Sequence, residues 1–97
     1  MTETEKIMSK IRKNMPYIRK KYNVRTLGLF GSYARGDQKN RSDVDILVEF
    51  EEPIGLLEFV ALERELNELV DEKVDLVMKT ALKPRIGKRI LEEVVYI

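Results

Sequence analysis

The chain has 97 residues, with 18 Lys and Arg against 17 Asp and Glu, 43% hydrophobic residues, and no Cys, His or Trp. That length fits a single domain, 1–97, around one modest core. The missing residue types exclude disulfides, thiolate or imidazole metal ligation, Ser-His-Asp triads and histidine acid–base catalysis. Any chemistry falls to carboxylates, hydroxyls, Lys, Arg, backbone amides or a hard metal ion.

Thr2 and Glu5 have the capping-box spacing, and Ile7, Met8, Ile11 and Met15 recur at helical intervals. A first helix is predicted there, broken near Asn14–Met15 by Pro16, with its apolar face resumed by Tyr17, Ile18 and Tyr22. Val24 to Phe30 reads as a strand ended by Gly31; Ser32 to Gly36 as a turn or helix start; Asp37 to Ser42 as a polar loop. Val44 to Phe50 is the clearest strand, and Pro53 and Gly55 punctuate its exit. Leu56, Leu57, Phe59, Val60, Leu62, Leu66, Leu69 and Val70 form the stripe of an amphipathic helix. Lys73 to Met78 is a third strand, Lys83-Pro84 opens a last helix to about Glu93, and Val94 to Ile97 reads as a short final strand. The order predicts an α+β fold, a small sheet flanked by helices. No apolar run reaches membrane-spanning length and the polar N-terminus has no apolar signal region, so a cytoplasmic protein without membrane attachment is expected.

Charge is divided along the chain. Residues 1–41 carry 11 basic and 3 acidic side chains, residues 42–78 carry 2 and 12, and residues 79–97 carry 5 and 2. Solvated helix faces account for most of these. A phosphate-bearing ligand beside an acidic cluster is the sharper reading, and nucleic acid is not expected as a direct ligand.

Asp43 and Asp45 are two apart at the start of a strand, so both carboxylates face one way, while Val44, Ile46 and Val48 face the other. Two adjacent like charges call for a neutraliser, and oxygen-only ligands select Mg²⁺ or Mn²⁺. The alternative is a strand with one wet face. Asp75 lies in a similar apolar run, KVDLVM; beside the first pair it completes a three-carboxylate cluster able to hold two metals, and otherwise it is an exposed acid on an edge strand. Gly31-Ser32 follows a strand and opens a turn, where close backbone approach, amides and a hydroxyl suit a phosphate, although the pair alone is equally a turn. Arg35, Lys39 and Arg41 lie in the following loop; Arg35 and Arg41 are candidate triphosphate-binding cations, and solvated loop charge is the alternative.

The stretch Gly31 to Phe50, GSYARGDQKNRSDVDILVEF, resembles the GS-x10-DxD signature of the nucleotidyltransferase superfamily, and more closely its minimal branch, the small MNT proteins of prokaryotes. The resemblance extends over the preceding strand, the long helix and VDLV with Asp75. It implies a palm-like fold with a mixed sheet flanked by helices, and nucleotidyl transfer from ATP with two Mg²⁺ ions, Mn²⁺ being the alternative. By position Asp43 and Asp45 match the metal-binding pair, Asp75 the third acid, and Gly31 and Ser32 the triphosphate-contacting pair.

The resemblance also implies a partner, a HEPN-domain toxin to which the MNT member transfers AMP on a tyrosine, acting as antitoxin. The 97 residues leave no room for an acceptor-binding domain, so the acceptor is expected on another molecule. Arg85, Lys88 and Arg89 on the last helix join Arg35 and Arg41 as expected contacts for the triphosphate or an acidic rim of that partner. The competing readings are an antitoxin that neutralises by contact alone, and a nucleotidyltransferase acting on a small molecule of the aminoglycoside type.

Overall fold

The computed structural model describes residues 1–97. Helix α1 runs from Glu3 to Tyr22, capped as the sequence predicts: the Glu5 N–H donates to the Thr2 hydroxyl at 3.1 Å, and the Glu5 carboxylate receives the Thr2 N–H. The expected break at Pro16 does not occur; Pro16 lies inside one continuous helix. Pro16 is on the exposed face, as is Arg12, whose carbonyl receives no N–H from a proline four residues on. On the opposite face Ile7, Ile11, Met15, Ile18 and Tyr22 are all buried, and their packing on both sides of the proline holds the helix together.

Strand β1 (Val24–Phe30) leads into the short helix α2 (Gly31–Arg35), strand β2 (Val44–Phe50), helix α3 (Leu56–Val70), strand β3 (Val74–Met78), a 3₁₀ turn at Lys79–Ala81, helix α4 (Pro84–Glu93) and the two-residue strand β4 (Val95–Tyr96). The sheet order is β3-β2-β1-β4, with β1 antiparallel to β2 and β4, and β2 parallel to β3 across the α3 connection. This is the mixed sheet flanked by helices that the α+β reading predicts.

One core of 17 buried residues joins α1 and α3 to one face of the sheet. The apolar stripe of α3 divides: Leu62, Leu66 and Val70 enter this core, whereas Leu56 and Leu57 at its start are 76% and 85% exposed. Two polar residues of α3 cover the open edge of β3. The Val74 N–H donates to Asn67 Oδ1 at 2.5 Å and the Leu76 N–H to Glu63 Oε2 at 2.9 Å, which satisfies groups that an edge strand would otherwise leave free. No helix is long and apolar enough to cross a membrane.

Candidate active site

Strand register brings the expected residues to one end of the sheet. Phe30 pairs with Asp45 across β1 and β2, and Asp45 pairs with Asp75 across β2 and β3. Val44, Ile46 and Val48 point into the core, so alternation puts Asp43 and Asp45 on the face away from α1 and α3. Asp75 shares that face between the buried Val74 and Leu76. Asp43 and Asp45 are half-buried, and Asp75 is exposed. Asp43 lies 3.8 Å from the ammonium of Lys73, a solvent-facing pair.

Gly31 is the hinge between β1 and this acidic edge. Its φ is +73°, and a Cβ built on it would overlap the Asp45 carboxylate, so both conformation and space require glycine. The next turn is fastened from beneath: Tyr33 is buried in the core, and its carbonyl accepts the Thr4 hydroxyl at 2.7 Å. Gly36, at φ +78°, closes the turn by donating its N–H to the Ser32 carbonyl. Ser32 is left half-buried at the rim. Beyond it the loop is tied where the Lys39 N–H meets the Ser42 hydroxyl at 2.8 Å, just before Asp43.

The electrostatics are those of an acidic edge whose counter-charges, Lys73 beside Asp43 and Arg35 near Asp45, offset it only in part. Partial burial, then the charges of Asp75 and Asp43, push the Asp45 carboxyl up from 3.8 to about 6, and Arg35 opposes this only in part. Hard carboxylate oxygens in excess negative charge fit a hard divalent cation. The side chains do not form a ready-made cage, since no three acids are gathered at metal-binding separations. Mg²⁺ is commonly held by one or two carboxylates, with water and substrate phosphates completing its shell, and the Asp43–Asp45 pair fits that manner of binding.

The cations are placed less simply than the sequence suggests. Arg35 is engaged by two carboxylates, its Nε donating to Asp37 at 3.2 Å and its Nη1 to Glu93 Oε2 at 3.1 Å. Arg41 is exposed in the loop before β2. Arg85, Lys88 and Arg89 are exposed on α4, where Lys88 lines a groove with Lys79 and Lys83. Sequence reasoning missed Glu93, whose Oε1 accepts the Gly31 N–H at 3.0 Å. A signal for it did exist: α4 ends on two glutamates, where a helix favours cations.

The nucleotidyltransferase domain family matches residues 8–97. The chain belongs to this family. Along its whole length it is 48% identical to the protein adenylyltransferase MntA of Thermococcus cleftensis, 98% of which is covered. A solved structure assigned to the minimal nucleotidyltransferases is 31% identical and superimposes with a TM-score of 0.82, over 97% of this chain and 95% of that one. A crystal structure of a toxin–antitoxin with AMP-PNP is 26% identical with a TM-score of 0.69, over 96% of this chain and 70% of that one. The mixed four-stranded sheet described above is thus the minimal nucleotidyltransferase fold.

Proposed function

We propose that this nucleotidyltransferase moves AMP from ATP to a hydroxyl, a tyrosine, of a HEPN-domain toxin and so acts as its antitoxin. The observation that carries the reading is the register Phe30–Asp45–Asp75, which sets a glycine-serine turn and three acids at adjoining strand ends. The relative named as a protein adenylyltransferase and the toxin–antitoxin neighbour with AMP-PNP support the acceptor and donor classes.

In this reading Gly31 and Ser32 receive the triphosphate, with Arg35 and Arg41 as its cations. Asp43 and Asp45 would hold Mg²⁺ beside the triphosphate, and Asp75 would serve a second ion on the acceptor's side. When bound, Mg²⁺ supplies charge neutralisation at the phosphates and acidifies the acceptor hydroxyl. The acceptor oxygen forms the new bond to the α-phosphorus, the bond from that phosphorus to the oxygen bridging to the β-phosphate breaks, and pyrophosphate leaves. The hydroxyl proton passes to Asp75, an exposed carboxylate on the acceptor's side, in a chain that has no histidine to take it. Positioning and charge neutralisation supply most of the acceleration.

Contact alone is the second reading. Leu56, Leu57 and Val60 present exposed apolar surface at the start of α3, which a partner helix would cover. Labelled ATP separates the readings. With a HEPN-domain toxin as acceptor and Mg²⁺, label at the α-phosphate should appear on the partner and label at the γ-phosphate should leave as pyrophosphate. Binding of the partner without either transfer favours contact alone.

A further inference from the structure

Glu93 ends α4 where the helix dipole disfavours a carboxylate, and the last turn has no basic residue to offset it. Its compensation comes from residues distant in the sequence but packed beside α4. Oε1 takes the backbone N–H of Gly31 at 3.0 Å, and the carboxylate takes Arg35 Nη1 at 3.1 Å through Oε2 and at 3.5 Å through Oε1. These donors, one amide of the glycine-serine turn and one guanidinium arm, are what a phosphate oxygen would require there. A carboxylate offers them the same charge sign and the same acceptor-only oxygens.

We propose that Glu93 is a built-in occupant of the phosphate cradle: its carboxylate fills the Gly31–Arg35 site in the free protein and must leave for a nucleoside triphosphate to enter. The proposal rests on the nucleotidyl-transfer reading of the site and adds to it a residue that sets nucleotide affinity. Displacement is favourable because a triphosphate brings more charge to the same donors, while a Glu93 left in place would stand against that charge. It also stands near Asp45, adding to the negative potential there. Arg35 stays oriented when Glu93 leaves, because Asp37 holds its Nε at 3.2 Å.

Displacement has a structural consequence at the C-terminus. Glu93 is followed at once by Val94 and β4, which pairs with β1 at Gly28 and Leu29, and the Ile97 N–H donates to the Leu27 carbonyl at 2.9 Å. Losing the Glu93 anchor should loosen this two-residue edge strand, so nucleotide binding is coupled to the mobility of residues 94–97.

The test is calorimetric titration of the full chain and its Glu93→Gln and Glu93→Ala variants with Mg²⁺ and a non-transferable ATP analogue, α,β-methylene-ATP. Both variants should bind about three- to tenfold more tightly than the wild type, the factor expected for a cradle open roughly a tenth to a third of the time. Amide exchange on the wild type gives a readout independent of any substitution: saturating analogue should speed exchange at residues 94–97. Variants that melt like the wild type but bind equally or more weakly, or slower exchange at 94–97, would overturn the proposal and make Glu93 a brace for the turn. If the folded wild type and both variants all fail to bind the analogue, the nucleotidyl-transfer reading falls and this proposal falls with it.

Discussion

Gly31 and Asp45 are packed so closely that a single methyl group on the glycine would overlap the carboxylate, and the glycine meets this approach at φ +73°. The contact explains the spacing between Gly31 and Asp45. Gly31 directly follows β1, Asp45 lies opposite Phe30 on β2, and the residues between them are the turn and loop needed to bring the chain back antiparallel. The Gly31-Ser32 turn and the acidic pair are therefore neighbours through the backbone itself.

Gly31→Ala should lose activity for two reasons that a second substitution separates. Gly36 has an equally left-handed φ, +78°, but open space around it. Alanine at either position costs about 1–2 kcal/mol of backbone strain. Gly31→Ala must also push Asp45 aside, so it should melt lower than Gly36→Ala and lose AMP transfer, while Gly36→Ala keeps transfer. Thermal melts paired with transfer assays check this; equal transfer by the two variants would contradict it.

Asp45 should destabilise the metal-free protein as it ionises. Its carboxyl is raised from 3.8 to about 6 in the folded state, so between those values the folded chain holds a proton the unfolded chain has lost. That contribution favours folding at low pH and is lost as pH rises through about 6. Asp45→Asn removes the charge. In chelator, the melting temperature of Asp45→Asn minus that of wild type should grow from pH 4 to pH 6 and then level off. A difference that stays flat across this range would mean that Asp45 feels neither its burial nor Asp75 and Asp43.

Asp75→Asn should separate chemistry from folding. The side chain is exposed on β3, flanked by Val74 and Leu76, which carry the packing. Its loss should change stability by less than about 0.5 kcal/mol. Nucleotide affinity should largely persist while transfer is abolished. Melting, calorimetry and transfer on one preparation test all three, and a variant that transfers AMP at the wild-type rate would remove Asp75 from the proton's path.

Pro16→Ala should stabilise the protein. A proline inside a helix costs on the order of 3 kcal/mol, and alanine restores both the N–H and the bond to the Arg12 carbonyl. Because Pro16 is exposed, no packing is lost in exchange. A gain of about 1–3 kcal/mol in denaturant melts is expected; a loss would show that the proline shapes the helix for a contact.

Pro16 also marks where sequence reasoning stops. Local chemistry locates β1 and β2 to the residue, because Val24–Phe30 and Val44–Phe50 are apolar runs closed by glycine and by acids with proline. The capping box at Thr2 and the end of α4 at Glu93 are legible for the same reason. Whether α1 survives its proline depends on five buried side chains packing against the rest of the fold, which no local rule contains. Asn67 and Glu63 read as surface polar residues on a helix, yet they close the edge of β3. The candidate site divides in the same way. Asp43, Asp45 and Gly31 stand out because alternation and turn chemistry act over a few residues, and Asp75 enters through a second strand of the same character. Glu93 reaches Gly31 across 62 positions, a contact made only when α4 folds back beside α2.

The most direct test of the account is the intact mass of a HEPN-domain toxin supplied as acceptor, after incubation with ATP, Mg²⁺ and either the wild-type chain or its Asp43→Asn variant. The wild type should add one or more increments of about 329 Da, one AMP unit for each pyrophosphate released, and the variant should add none. An unmodified partner with both proteins, or equal modification by both, would contradict a transfer site built on the strand-end carboxylates.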